Sequence, residues 1–282
     1  MSPHKVALVT GGNKGIGYAI VKGLCEKYQG IVYLTARDVG RGEAAVCKLK
    51  ELGFSPEFHQ LDICDQNSID KLRDHLLKNH GGLDLLINNA AIAFKHDSPE
   101  PFSEQAKITV EVNYFATLKT CETLFPLLRN DGRVVNLSSS AGHLSRIPSA
   151  ELRNNFNDPA ITVPELNKLL EQFIQDAKDN QHQERGWGNS AYVVSKVGLS
   201  ALTKIQQREF DQENPNRNIS VNSVHPGYVD TDMTSHKGPW SIEQGARAPL
   251  FLALDAKNLK GQYVWSDATV AQWDAEHPPA PV

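Results

Sequence analysis

A glycine turn between a strand and a helix constrains this chain more than any other feature. Val6-Ala7-Leu8-Val9-Thr10 is a continuous apolar run rich in β-branched residues, which reads as a parallel strand buried on both faces. Residues 11–17 follow, and then a helical stretch with Ile20, Val21 and Leu24 on one side. The alternation continues. Further strands are expected at 31–35, 58–62, 83–88, 133–138 and 219–225, and a last one at 262–265. Helices are expected at 42–52, 68–78, 105–128 and 192–210. This order predicts an α/β fold in one domain over 1–282: a doubly wound parallel sheet with helices on both faces and ligands at the carboxyl ends of the strands.

One stretch interrupts the rhythm. No strand is expected between Ser145 and Ser190. Thr162 and Glu165 stand at capping-box spacing, and Leu166, Leu169, Leu170, Phe173 and Ile174 recur at helical spacing. Residues 145–187 therefore read as a helical insertion packed on the main domain. With 40% hydrophobic and 22% charged residues, the chain can bury a large core without a staple. A net charge of −4 gives no reason to expect a nucleic-acid partner. Cys25, Cys47, Cys64 and Cys121 form no CxxC pair and no zinc spacing, so reduced thiols and no metal are expected. The first residues lack the pattern of a signal peptide or membrane span, and a cytoplasmic protein is expected.

Gly11, Gly15 and Gly17 form GxxxGxG immediately after a strand and before a helix. Glycine lets the backbone approach a pyrophosphate, and a helix N-terminus presents N–H groups and partial positive charge to it. The end of the second strand should meet the adenosine ribose, where an acidic residue favours NAD and an arginine favours NADP. Here Arg37 comes first and Asp38 second, and Asn13-Lys14 adds a cation within the glycine turn. Two cations point to NADP(H). Asp38 argues the other way unless it turns aside or pairs with Arg41.

Further along stand Asn88-Asn89-Ala90, Asn113, Ser138-Ser139, Tyr192-Val193-Val194-Ser195-Lys196 and Pro226-Gly227. Together with the glycine turn, this ordered set resembles the short-chain dehydrogenase/reductase superfamily, which has a Rossmann-like fold. Within it the chain is most similar to the monomeric NADPH-dependent carbonyl reductases, through Asn13-Lys14, the segment Thr35 to Asp38, Ala93-Phe94-Lys95 and the insertion before Tyr192. The chemistry is consistent with that. Tyr192 and Lys196 share a helix face at i,i+4. A neighbouring ammonium is expected to lower the phenol pKa and make it a usable acid. Ser139 can donate to the substrate oxygen, where charge develops. The resemblance implies that Lys196 also holds the nicotinamide ribose and that Asn113 positions a water for a proton relay. It also implies that Asp62, Ile63 and Asn89 flank adenine and ribose, and that Ile16, Val229, Asp230 and Thr231 line the cofactor. The superfamily usually has glycine where this chain has Ala91; alanine tolerates positive φ less well, so a slight shift of that loop is expected, without loss of activity.

The substrate is expected between Phe94-Lys95-His96, Ser139, Tyr192, Val193, Tyr228 and the loop 233–240, with Phe94, Tyr228 and Trp240 as aromatic walls. The resemblance places a glutathione-like group near Phe94-Lys95-His96 and Gln105, and the substrate is a small carbonyl compound or a glutathione adduct. The insertion would cover the helices through which tetrameric members associate, so a monomer is expected. Oxidation of a secondary alcohol, as in a hydroxysteroid dehydrogenase, and nucleotide binding without turnover are the alternative readings.

Overall fold

The computed structural model describes residues 4–95 and 97–280. Strands and helices alternate as β1 (Lys5–Val9), α1 (Gly15–Lys27), β2 (Gly30–Ala36), α2 (Val39–Glu51), β3 (Glu57–Gln60), α3 (Gln66–His80) and β4 (Leu83–Asn88). Beyond these lie α4 (Phe102–Val110), α5 (Ala116–Leu124), β5 (Leu128–Leu137), α6 (Ala150–Phe156), α7 (Val163–Lys178), α8 (Ala191–Asp211), β6 (Ser220–Val224), α9 (Ile242–Leu250), β7 (Tyr263–Val264) and β8 (Val270–Ala271). They form one eight-stranded sheet in the order β3-β2-β1-β4-β5-β6-β7-β8. All pairings are parallel except the last, β7 with β8. The strand order reverses between β1 and β4, which opens a crevice at their carboxyl ends.

Side-chain alternation in β1 explains the two layers of helices. Ala7 and Val9 pack with Ile20 and Leu24 of α1, Val46 and Leu49 of α2 and Ala246 of α9. Val6 and Leu8 pack on the other side with Leu72 and Leu76 of α3, Leu124 of α5 and Phe210 of α8. A third apolar cluster joins α4, α7 and α8 to the C-terminal strands, with Tyr114, Phe173, Trp187 and Val197 inside it.

The structure corrects the expected elements in three places. The helix expected at 105–128 is broken: α4 and α5 are separated by a π-helical turn at Glu111–Phe115, and a 3-10 turn follows at Phe125–Leu127. β3 ends at Gln60, so Asp62 lies in the loop beyond it. The antiparallel β8 was not foreseen, because a two-residue strand carries no periodicity. Within the expected insertion, α7 opens where Thr162 donates its backbone N–H to the Glu165 carboxylate at 2.8 Å. Its buried face is Leu166, Leu170, Phe173 and Ala177.

Candidate active site

The turn between β1 and α1 requires its glycines for two separate reasons. Gly11 and Gly15 have φ of +64° and +55°, a region glycine enters without strain. A Cβ on Gly17 would collide with Asn89 Nδ2 and the Gly11 carbonyl, so that position is closed by space instead. No side chain caps α1, whose residue before the first turn is Lys14. Uncapped N–H groups beside a glycine turn form a cradle that fits a pyrophosphate. Asn89 braces the cradle, donating from Nδ2 to the carbonyls of Thr10 and Gly11 at 2.9 and 3.0 Å. Thr10 Oγ1 accepts from the N–H groups of Asn89 and Ala90, each at 3.0 Å. Ala91 is not among the residues with positive φ, so its backbone suits alanine.

At the end of β2, Arg37 is exposed. Asp38 is committed to α2 as its N-cap, accepting the Arg41 N–H at 2.8 Å, with the Arg41 guanidinium 3.6 Å away. That backbone donor, helped by the guanidinium, holds the carboxyl below its usual range. The residue that argued for NAD is therefore occupied. Past β3, Asp62 accepts the Cys64 N–H at 3.0 Å and Ile63 is buried.

Asn113 sits in the π-helical turn, a distortion that often marks functional positions. Its side chain is fully engaged: Oδ1 accepts from Ile92 N–H at 2.8 Å, and Nδ2 donates to Ile92 O at 2.9 Å and Ser195 Oγ at 3.1 Å. Ser195 Oγ in turn donates to the Tyr192 carbonyl at 2.8 Å. Asn113 thus ties the loop after β4 to the first turn of α8. Lys196 is 3% exposed and donates to Leu137 O at 2.7 Å. Its Nζ lies 5.7 Å from the Tyr192 ring centroid.

The expected effect of Lys196 on Tyr192 is not what the structure contains. Burial pushes the Tyr192 phenol above its ordinary value, with the Ser139 hydroxyl working against the rise. Burial also pushes the Lys196 ammonium down to about 7. Among the serines, Ser138 is buried and shares a 2.8 Å hydrogen bond with Ser200 Oγ, while Ser140 opens a 3-10 turn. Ser139 is the one whose hydroxyl lowers the Tyr192 phenol pKa.

The loop after β6 closes over the glycine turn. A Cβ built on Gly15 would touch Thr231 Cγ2 at 3.4 Å. Pro226 is buried, and Gly227 has φ of +95° beneath the Trp240 ring. Val229 forms a β-bridge with Trp240. Asp230 binds His236 Nδ1 at 2.6 Å, and Asp232 lies 3.2 Å from its Nε2. These carboxylates raise the His236 pKa, Asp230 foremost.

The two expected ligand-binding lysines point into this loop. Lys14 Nζ binds the Asp232 carboxylate at 2.6 Å, and Lys95 Nζ donates to Ser235 Oγ at 2.8 Å and to the Asp232 carbonyl. Gln105 is turned onto its own segment, donating to Glu100 O at 2.8 Å. Phe94 and Val193 are half-buried, and Tyr228 is 52% exposed. His96 lies outside the described residues. Thr10, Ile92, Leu137, Ser195 and Asp232 were missed from sequence. Ile92 and Leu137 act through backbone atoms, and Thr10, Ser195 and Asp232 through hydrogen bonds to residues far away in sequence, for which residue type alone carries no signal.

The short chain dehydrogenase family model matches residues 5–150 and 180–241. The chain belongs to the short-chain dehydrogenase family. The unmatched stretch, 151–179, holds α7 and most of α6. Among curated proteins, the chain is 47% identical over 276 residues to carbonyl reductase (NADPH) 1 of Sus scrofa, covering 96% of this chain and 95% of that protein. It is 48% identical over 272 residues to the Homo sapiens protein of the same name, covering 95% and 98%. Among solved structures it is similar to salutaridine reductase from Papaver somniferum, with TM-score 0.82 and 31% identity over 92% of this chain and 99% of that one. Among the described residues of this family member, no helix is long and apolar enough to cross a membrane.

Proposed function

We infer that this chain reduces ketones, aldehydes or quinones to alcohols with NADPH. The observation that carries the reading is the grouping of Ser139, Tyr192 and a buried Lys196 at the carboxyl end of the sheet from which the glycine turn also leaves. Near full-length identity of 47–48% to proteins named NADPH carbonyl reductases supports it. Bound NADPH supplies the hydride. The remaining work falls to the chain.

Gly11, Asn13, Gly15, Ile16 and Gly17 cradle the pyrophosphate, and Arg37 with Lys14 takes the 2′-phosphate. Lys14 can leave Asp232 at little cost, since both partners are 62% exposed and solvent screens such surface pairs. Asp62, Ile63 and Asn89 flank the adenosine. Pro226, Gly227, Val229, Asp230 and Thr231 close on the nicotinamide side. Lys196 holds the nicotinamide ribose.

Tyr192 hands its proton to the carbonyl oxygen as hydride arrives. A phenol raised by burial is fully protonated at neutral pH, which is the state an acid needs. Ser139 Oγ donates to the same oxygen. Asn113 orders the α8 turn and the water path behind Tyr192. Phe94, Val193, Tyr228 and Trp240 frame the substrate, and Lys95 and Gln105, released from their internal partners, meet the polar end of a glutathione adduct. The protein works as a cytoplasmic monomer of one domain, with 145–187 as its insertion.

Cofactor choice gives the test. Arg37→Asp should raise KM for NADPH by about 10- to 100-fold, the range of a lost charge-assisted hydrogen bond, and change KM for NADH far less. Steady-state assays with both cofactors and one quinone decide it. An unchanged KM for NADPH would remove Arg37 from the phosphate site.

A further inference from the structure

The segment that carries Ser139 is anchored from a part of the chain with no place in the machinery described so far. β7, β8 and the residues just beyond them lie against residues 139–144. Tyr263, 3% exposed, donates its hydroxyl to the Ser139 carbonyl at 2.5 Å. Trp273 Nε1 donates to Gly142 O at 2.6 Å. His143 Nε2 pairs with Gln272 O at 3.1 Å, and Leu144 N–H donates to Trp273 O at 3.1 Å. Each bond runs from the C-terminal hairpin to the stretch that follows β5, and none is part of the sheet ladder.

Ser139 has two local hydrogen bonds besides this. Its carbonyl accepts the Gly142 N–H at 2.9 Å in the 3-10 turn, and its Oγ accepts the Ala141 N–H at 3.2 Å. The turn also packs on α8, where a Cβ on Gly142 would sit 2.9 Å from both Lys196 O and Ser200 Oγ. The Tyr263 hydroxyl and the Trp273 indole grip it at both ends, at Ser139 O and Gly142 O. Removing either loosens the turn at one end, which lets Oγ shift relative to Tyr192. A displacement well under 1 Å is enough to weaken a hydrogen bond aimed at a transition state.

We propose that Tyr263 is a positioning residue for carbonyl reduction: its hydroxyl, with the Trp273 indole, fixes the backbone of Ser139 so that the serine hydroxyl faces Tyr192 and the substrate oxygen. The inference rests on the role assigned to Ser139 above. It explains why a tyrosine, and not a phenylalanine, occupies a buried apolar cluster: a phenol there must find a partner, and the partner is the catalytic segment.

A double-mutant cycle tests it. Tyr263→Phe keeps the ring and deletes one hydrogen bond, so the fold should persist, with an unchanged circular dichroism spectrum. The expected result is a kcat lowered about five- to tenfold with KM for substrate nearly unchanged. In a Ser139→Ala background the same substitution should cost nothing further, because the group it positions is gone. Trp273→Phe should behave alike, with a smaller loss, and serves if Tyr263→Phe does not fold. An undiminished kcat in Tyr263→Phe overturns the proposal. So does a loss that persists in full on top of Ser139→Ala, which marks a merely structural role. Full activity in Ser139→Ala alone instead removes Ser139 from the mechanism, so the two failures are told apart.

Discussion

At Lys196 the proposed role in reduction is set against stability. It is buried with one hydrogen-bond acceptor, and its ammonium is pushed from 10.5 down to about 7. In the unfolded chain the amine stays protonated up to about pH 10.4. Below pH 7 folding must desolvate a charge, and between 7 and 10.5 it must release a proton. This penalty is therefore greatest at or below neutrality and fades as pH rises toward 10.5. Lys196→Met removes it and leaves the Leu137 carbonyl unpaired, which costs about 1 kcal/mol against a gain of a few. Thermal melts should show Tm raised by about 3–8 °C at pH 7, with the gain shrinking by pH 10, while reduction is abolished. A variant no more stable than the parent at pH 7 contradicts this. Tyr192, Lys196, Ser139 and the three glycines were all legible from residue type and spacing. The protonation states were not, because burial and not the i,i+4 spacing determines them.

At the scale of elements, α7 is held by its apolar stripe. Phe173 is fully buried, its ring centroid 6.3 Å from Phe102 on α4 and 5.3 Å from Trp187. Gly198 on α8 admits Leu170 so closely that a Cβ there would sit 2.9 Å from the leucine methyl. Phe173→Ala should cost about 3–5 kcal/mol in urea denaturation, the usual penalty for emptying a core aromatic site. A loss under 1 kcal/mol would mean that the insertion is not packed as described. Since α7 covers α4 and α8, light scattering should find a monomer, and a stable tetramer contradicts that reading. The insertion's stripe was readable because amphipathic periodicity is a local signal. The π-helical turn at Asn113 was not: it conserves helical pattern on both sides while changing the direction in which one side chain points. The pairing of Lys14 and Lys95 with the loop after β6 was equally hidden, since it joins positions 218 and 140 residues apart.

Across the whole molecule, the site is assembled at one end of a sheet by loops from five strands. β1 brings the glycine turn, β2 Arg37, β4 Asn89 and the Ile92 anchor, β5 Ser139, and β6 the closing loop. α8, running back from that end, carries both Tyr192 and Lys196, the two groups assigned to the proton and the ribose. The direct test is NADPH oxidation in the presence of a carbonyl panel, comparing the parent protein with Tyr192→Phe. Tyr192→Phe should bind NADPH as tightly as the parent, by fluorescence titration, and lose at least about 100-fold in kcat for an aromatic ketone, as expected for a lost general acid. A parent protein that oxidises no NADPH with any carbonyl, or a Tyr192→Phe variant that reduces the ketone at the parent rate, would contradict the central claim.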